Sequence, residues 1–422
     1  MSRLESSTDT SSAPSLLSAR RCWYLTALIG VVALVNYFDR QSLSVVAPRF
    51  QEELHLSDAG YGHVVSLFLF ASAIAYALAG FIADWLGTRA SMALFVGWWS
   101  AAEAATAFVR STLQLGMARF CLGLGEPGMW VAAPKAIGEI FPQKDRSLAI
   151  GVYTLGSTVG AVAALPTIAA ITSHLPWKSI FLLDGCAGLL WLPFWLLAYP
   201  GRRQLRQLVP QPAAIAPPQS QLALVKELLS RSKTWKLVVA RGITDPVWYF
   251  YLFWFPKYML SARGMTLAEV ARTGWLVYLL AGVGTVLGGA LSGILIRRGL
   301  TPASAYRATM FLCALLVPLS PLAATVHSAL AGVCIASVIA MAHMAWLVNL
   351  SSTIVELFPS HQVGKAFGIV AAGSGFGGMV STEVIGSVVT HCGYTPLFFL
   401  MMALHPIALA ILWKVFKQDA VA

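Results

Sequence analysis

The chain predicts an all-α membrane protein with twelve transmembrane helices in two pseudo-symmetric six-helix bundles. Three observations carry that expectation. The first is composition: of 422 residues, 57% are hydrophobic and 11% charged, against roughly 25% charged for a soluble domain. The second is that the apolar residues come in repeated runs of about 20, the length a helix needs to cross a hydrocarbon core. The third is internal repetition. Glu139-Ile140-Phe141-Pro142 returns as Glu356-Leu357-Phe358-Pro359. At the same offset Ala149 and Gly151 fall on Ala366 and Gly368, Gly156-Ser157 on Gly373-Ser374, and Gly160 on Gly377.

Residues 1–21 read as a polar cytoplasmic tail, and Met1–Ser18 lacks the apolar core of a cleavable signal. Spans at 22–48, 60–84, 91–110, 113–137, 147–172 and 178–199 make a first bundle, 22–199. Residues 200–235 form a central loop, basic and rich in proline (Pro210, Pro212, Pro217, Pro218), with a short amphipathic helix near Gln221–Leu229. Spans at 236–262, 271–296, 303–325, 328–357, 364–388 and 394–416 make a second bundle, 236–416, followed by a short tail, 417–422.

Basic residues gather in alternate loops, most densely in the central one, while Glu52, Glu53 and Asp58 lie at the opposite parity. The positive-inside rule then puts both termini in the cytoplasm. That placement accounts for the net charge of +11 without a nucleic-acid partner. The six cysteines lie mostly within or at the ends of apolar runs and read as small buried residues, not as a disulfide framework.

Two similar halves in parallel orientation place a substrate site between them near mid-membrane. The repeated glycines let neighbouring helices approach closely. Against this apolar background the intramembrane charges stand out, each costing about 2.5–3.5 kcal/mol at a helix centre on insertion scales. Asp39 and Arg40 lie in the first span, Arg119 and Glu126 in the fourth. The repeat offset carries Glu126 onto His343 in the tenth span. Arg119 and Glu126 share nearly one face, about 10.5 Å apart along the axis. Asp39 and Arg40 point about 100° apart and must find different partners. One economical arrangement sets Asp39 near Arg119 and leaves Arg40 free in the cavity. The bland alternative is a buried ion-pair network with no cargo role, although buried pairs are weak stabilisers.

Gly80-Phe81-Ile82-Ala83-Asp84-Trp85-Leu86-Gly87-Thr88-Arg89 resembles the G-x-x-x-D-x-x-G-x-R signature of the major facilitator superfamily. Trp85 stands where a basic residue is usual, and the second-half counterpart, Gly289–Gly293 with Arg297 and Arg298, lacks the acid. Asn36-Tyr37-Phe38-Asp39-Arg40 followed by Ala47-Pro48, and Gly123-Leu124-Gly125-Glu126, resemble the anion:cation symporter branch. The run Thr244–Tyr258 and Ala342-His343-Met344-Ala345-Trp346-Leu347-Val348-Asn349 are similar to bacterial hexuronate transporters.

The resemblance implies the major facilitator fold, in a multi-pass protein of the bacterial inner membrane that works as a monomer. It implies proton-coupled symport of a monocarboxylate sugar acid, a hexuronate such as glucuronate or galacturonate, into the cytoplasm by alternating access. Asp39 and Glu126 take the positions of proton carriers, Arg40 and Arg119 those of arginines that handle the anion. Asp84 and Arg89 form a gating relay. A sugar acid also needs hydroxyl partners and an apolar face, for which Tyr37, His343, Asn349, Trp346, Ser157 and Ser374 are candidates, although a serine in such a helix commonly bonds its own backbone. Trp248, Tyr249, Tyr251 and Trp254 read as cavity or interfacial-belt residues, and Asp245 as a gate or a helix cap. No metal-ligand cluster, nucleophile constellation or phosphate loop stands in the sequence, so no cofactor is expected; protons as the coupling ion are what the resemblance implies. The rivals are carriage of another organic anion (a hexonate, an aromatic acid or a short monocarboxylate), a membrane sensor, and an intramembrane enzyme built on Glu126 and His343.

Overall fold

The structure, a computed structural model, describes residues 17–201, 204 and 205, and 221–418, and these are almost wholly helical. The first bundle comprises α1 (Ala19–Glu53), α2 (Asp58–Leu86), α3 (Thr88–Thr106), α4 (Thr112–Ile140), α5 (Gln143–Thr172) and α6 (Lys178–Ala198). A short helix, α7 (Gln221–Ser230), matches the amphipathic segment expected before the second bundle. Then come α8 (Ser232–Phe253), α9 (Phe255–Ser261), α10 (Leu267–Thr273), α11 (Trp275–Arg297), α12 (Pro302–Leu316), α13 (Ser320–Thr325), α14 (Ala329–Leu357), α15 (Ser360–Cys392) and α16 (Thr395–Gln418).

Among the described residues nine segments are long and apolar enough to cross a membrane. The remaining three of the twelve spans are α3, α4 and α8, whose hydropathy is diluted by Glu103, by Arg119, Glu126 and Lys135, and by Arg241 and Asp245 respectively. Three expected spans are broken. The seventh changes direction at Trp254, where Pro256 opens α9. The eighth is split at Gly274. The ninth passes through a 3-10 turn at Val317–Leu319, with Pro321 opening α13. A proline has no N–H for the preceding turn, so a break at its N-terminal side costs the helix least.

The sequence repeat is a structural one. Both α4 and α14 run for 29 residues. Each ends on an extended phenylalanine (Phe141, φ −112°, ψ 143°; Phe358, φ −122°, ψ 140°), and a proline then opens the next helix. Within each half the fifth span packs on the first. A Cβ at Gly156 would lie 2.0 Å from the Gly30 carbonyl oxygen, and one at Gly377 would lie 2.1 Å from that of Gly242. Gly160 likewise meets Leu34, and Gly373 meets Val238. These contacts align Gly30 with Val238 and Leu34 with Gly242, and hence Asp39 with Val247 and Arg40 with Trp248.

The bundles meet mainly through α2 against α15 and α5 against α11. They touch closely at one end, that of the α1–α2 loop. There Asp58 pairs with Lys257, Tyr61 Oη donates to the Phe253 carbonyl at 2.5 Å, Thr390 Oγ1 accepts from the Ala59 amide at 3.1 Å, and His63 lies 2.9 Å from Glu383. Gly62 and Gly386 are in direct contact across the seam. At the other end, where Arg21 of α1 donates to the Ala198 carbonyl of α6 at 2.7 Å, the same helices part. A Cβ added at Gly80 of α2 or at Gly364 or Gly368 of α15 would meet nothing within 4 Å. The molecule is closed at the loop end and open at the end that holds α7 and the described chain ends.

Candidate functional site

At the level where the bundles face each other, Arg40 of α1 and Glu126 of α4 form an ion pair, Nε to Oε2 at 2.8 Å. Glu126 is fully buried and its second oxygen, Oε1, has no donor among the described residues. Pro127 follows it, so α4 lacks the backbone bond to the Gly123 carbonyl one turn before. The guanidinium lies 5.6 Å from the Tyr37 ring and 5.8 Å from the Phe68 ring. Tyr76 of α2 and Tyr249 of α8 are near enough to act on its charge. Tyr37 packs edge-on against Trp130 at 6.0 Å. Arg40 is therefore not free, as the sequence-based arrangement had it; it is held by the acid of the fourth span.

The second bundle presents an aromatic counterpart. Trp248, which corresponds to Arg40, lies parallel to His343, which corresponds to Glu126, with ring centroids 6.4 Å apart and planes 3° apart. Behind it His343 Nδ1 lies 3.2 Å from Nε2 of His405 on α16, and Trp346 packs edge-on to His405 at 5.1 Å. One half thus offers a charged pair and the other a flat aromatic wall. Beside the wall a polar group gathers: Arg241 Nε lies 3.0 Å from Asp245 Oδ2, Ser374 Oγ donates to the same carboxylate, and Tyr249 Oη lies 2.9 Å from Ser374 Oγ. Asp245 is therefore an ion-pair partner inside the bundle, not a terminal cap.

Asp39 does not reach Arg119. Arg119 Nη2 instead lies 2.9 Å from Glu103 of α3 and 3.0 Å from Thr106 Oγ1, and its guanidinium covers the Phe181 ring at 5.1 Å. Asp39 turns inward, 1% exposed, toward Glu103 and Asp184 of α6. One carboxylate oxygen from each of these three acids lies within 4.8 Å of the others. It is the one place among the described residues where three potential metal ligands converge. The adjacency of Asp39 and Arg40 explains the split: one residue of helical rotation sends the arginine to the cavity and the aspartate to the bundle core.

A model of the Major Facilitator Superfamily matches residues 29–382. The chain belongs to that superfamily. Its likeness to the hexuronate transporter of Escherichia coli K12 extends over 94% of both chains at 27% identity. The galacturonate transporter of Dickeya chrysanthemi is 31% identical over 277 residues, 63% of this chain and 80% of that one. The crystal structure of a D-xylose–proton symporter shares the fold, with a TM-score of 0.75 at 15% identity, covering 93% of this chain and 97% of that one. The protein is a multi-pass membrane transporter and not an enzyme.

In this major facilitator chain the other predicted residues fall in different places. Asn349 donates to the Gly288 carbonyl of α11 at 3.1 Å and to Ala345 at 2.8 Å, which ties two helices of one bundle together. Ser157 donates to the Thr154 carbonyl at 2.7 Å, within its own helix. Asp84 pairs with Lys135 at 2.6 Å, while Arg89 donates to the Leu196 carbonyl. The Asp84–Arg89 relay is thus not made at the open end. Of the seventh-span aromatics, Trp254 and Tyr251 are fully buried in packing, whereas Tyr249 joins the polar group through Ser374 and Trp248 lies on His343. Glu103, Asp184, Arg241, Tyr76 and His405 were not singled out by the sequence reading. Glu103, Asp184, Arg241 and His405 carry the signal used for Asp39, an ionisable group inside an apolar run; Tyr76 carries none that distinguishes it from packing.

Proposed function

We propose that the protein imports a monocarboxylate sugar acid, a hexuronate such as glucuronate or galacturonate, by proton-coupled symport. The observation that carries this reading is the Arg40–Glu126 pair at the bundle interface, with the Tyr37 ring against the guanidinium and the Trp248–His343 wall in the other bundle. The likeness to hexuronate and galacturonate transporters supports the class of cargo. A guanidinium is the natural partner of a carboxylate, and an aromatic face suits the apolar side of a sugar ring. Tyr37, His343, Ser374 and Trp346 stand near enough to that wall and its polar rim to contribute, with Asn349 and Ser157 supporting the helices.

The coupling follows from competition. In the empty carrier Arg40 neutralises Glu126. A cargo carboxylate that takes Arg40 leaves Glu126 buried without a cation, and the acid then takes up a proton. Anion and proton each favour the other's binding. Loaded with both, the site is balanced and the bundles can rock; after release to the cytoplasm Glu126 returns to Arg40. The basic loops and both termini belong on the cytoplasmic side by the positive-inside rule, so the open end faces inward and the Asp58–Lys257 end is the outer one. Protons serve as the coupling ion without further cofactor, and the carrier acts as a monomer in the inner membrane, with Asp84 and Arg89 engaging when the inner end closes.

Proteoliposomes test it. Glu126→Gln is expected to retain hexuronate counterflow and to lose accumulation driven by a pH gradient; undiminished pH-driven accumulation would refute the assignment. Arg40→Ala is expected to abolish binding, and wild-type affinity in that variant would remove Arg40 from the site. A panel of hexuronates, hexonates, aromatic acids and short monocarboxylates identifies the cargo.

A further inference from the structure

We propose that Asp184 of α6 shares a proton with Asp39 of α1, forming a second proton-binding site inside the first bundle, apart from the Arg40–Glu126 pair. This rests on the proton-coupled reading above and adds a residue and a location to it. The argument begins with a charge count. Among the described residues the first bundle buries four acids, Asp39, Glu103, Glu126 and Asp184, while two arginines, Arg40 and Arg119, stand among them. Arg40 is engaged by Glu126 and Arg119 by Glu103. Asp39 and Asp184 are left with no cation of their own.

Their surroundings offer no substitute. Neither oxygen of Asp39 receives a hydrogen bond from any described residue, nor does Asp184 Oδ2, and both side chains are more than nine-tenths buried. A carboxylate oxygen of Asp39 and one of Asp184 lie within 4.8 Å of each other. Two carboxylates so placed cannot both be ionised away from water, while one proton between them turns repulsion into an O–H···O bond. The charged groups facing the dyad are Glu103 from α3 and Arg119 and Glu126 from α4.

The fold itself does not require charge here. The second bundle is built on the same frame, and its equivalents of Asp39 and Arg119 are Val247 and Ala336. Between Arg119 and Arg40 lies a cavity of about 10 Å³, bounded by Leu43, Val65, Phe68, Leu122 and Phe253. It is close to the least volume that admits one water, and it joins the dyad's neighbourhood to the cargo pair. With one proton on the dyad, the four groups Asp39, Asp184, Glu103 and Arg119 carry one net negative charge. A second proton makes them neutral, and its loss restores the first state. That exchangeable proton moves with the cargo in addition to the one on Glu126.

Infrared spectroscopy of the purified wild-type protein, labelled with carbon-13 at the aspartate carboxyl, tests the dyad without mutation. A protonated aspartic C=O band that moves with the label is expected at neutral pH, and it should vanish in Asp184→Asn. No labelled band in the wild type would overturn the proposal. So would a band that emerges only when sodium is withdrawn, which would assign a metal cation to the same oxygens. In proteoliposomes the wild type is expected to move two protons per substrate and the Asp39→Asn, Asp184→Asn pair one, with the pH profile of counterflow displaced by at least one unit. An unchanged ratio and profile would overturn it. If wild-type uptake moves no protons, the symport reading fails, and the infrared band by itself still decides whether the dyad holds a proton.

Discussion

The closed end of the molecule rests on a buried cation, and isolating that cation should open it. Lys257 is 3% exposed and makes its ion pair with Asp58, whose side chain is 30% exposed. Lys257 also lies over the rings of Tyr61 and Trp254, at 5.3 and 5.5 Å. Replacing Asp58 by Asn removes the counter-charge and leaves the ammonium buried. Breaking a buried pair in this way costs about 3–5 kcal/mol. Because Asp58 is partly hydrated, a value discounted below that range, about 2–3 kcal/mol, is the better figure. The penalty falls on the closed state, since Lys257 is hydrated once the bundles part. At 1.4 kcal/mol per tenfold the ratio of molecules open at the α1–α2 loop end to molecules closed there should rise by roughly 30- to 150-fold. Lys257→Met removes the buried charge as well as the pair, so its effect should be much smaller, and Asp58→Asn combined with Lys257→Met should close the end again. The assay is a distance distribution between spin labels at Glu52 and Cys392, in a background in which the other five native cysteines are replaced. If Asp58→Asn leaves the distances unchanged, or the double variant is as open as the single one, the desolvation argument is wrong.

Two further outcomes follow from the same geometry. Arg119→Met should lower stability by about 3–5 kcal/mol by stranding Glu103, read as an earlier thermal transition in detergent, with partial recovery in the Arg119→Met, Glu103→Gln pair. Gly377→Ala should sharply reduce the yield of folded protein, because its methyl would lie 2.1 Å from the Gly242 carbonyl oxygen, a backbone atom that cannot step aside. Gly368→Ala on the same helix meets nothing within 4 Å and should be neutral or stabilising by about 0.5–1 kcal/mol; size-exclusion yields of the two variants compare them directly.

Much of the fold was legible because it is written locally. The repeat around Glu139 and Glu356 foretold that α4 and α14 would have equal length and the same extended exit, since helix ends depend on a few adjacent residues. The expectation of unbroken seventh, eighth and ninth spans missed the breaks at Trp254, Gly274 and Val317–Leu319, because hydropathy is blind to backbone direction. At the site, Arg40 and Glu126 were named as functional charges, yet their pairing with each other was not. Pairing Asp39 with Arg119 from the sequence leaves out Glu103, the acid that takes that arginine.

By itself the sequence determined that the protein lives in a bilayer, that it is a doubled six-helix unit, and which ionisable groups are carried into the membrane at a cost. Each of these follows from composition, run length or repetition along one dimension. Only the tertiary structure decided who meets whom: Arg40 with Glu126 at the seam, Arg119 with Glu103, Asp39 with Asp184, Trp248 with His343. The reason is rotational. One residue turns a helix by about 100°, so the partner of a buried charge depends on how each helix is rolled against its neighbours, and that roll is set by close contacts such as Gly156 on Gly30 and Gly377 on Gly242, far from the charges themselves.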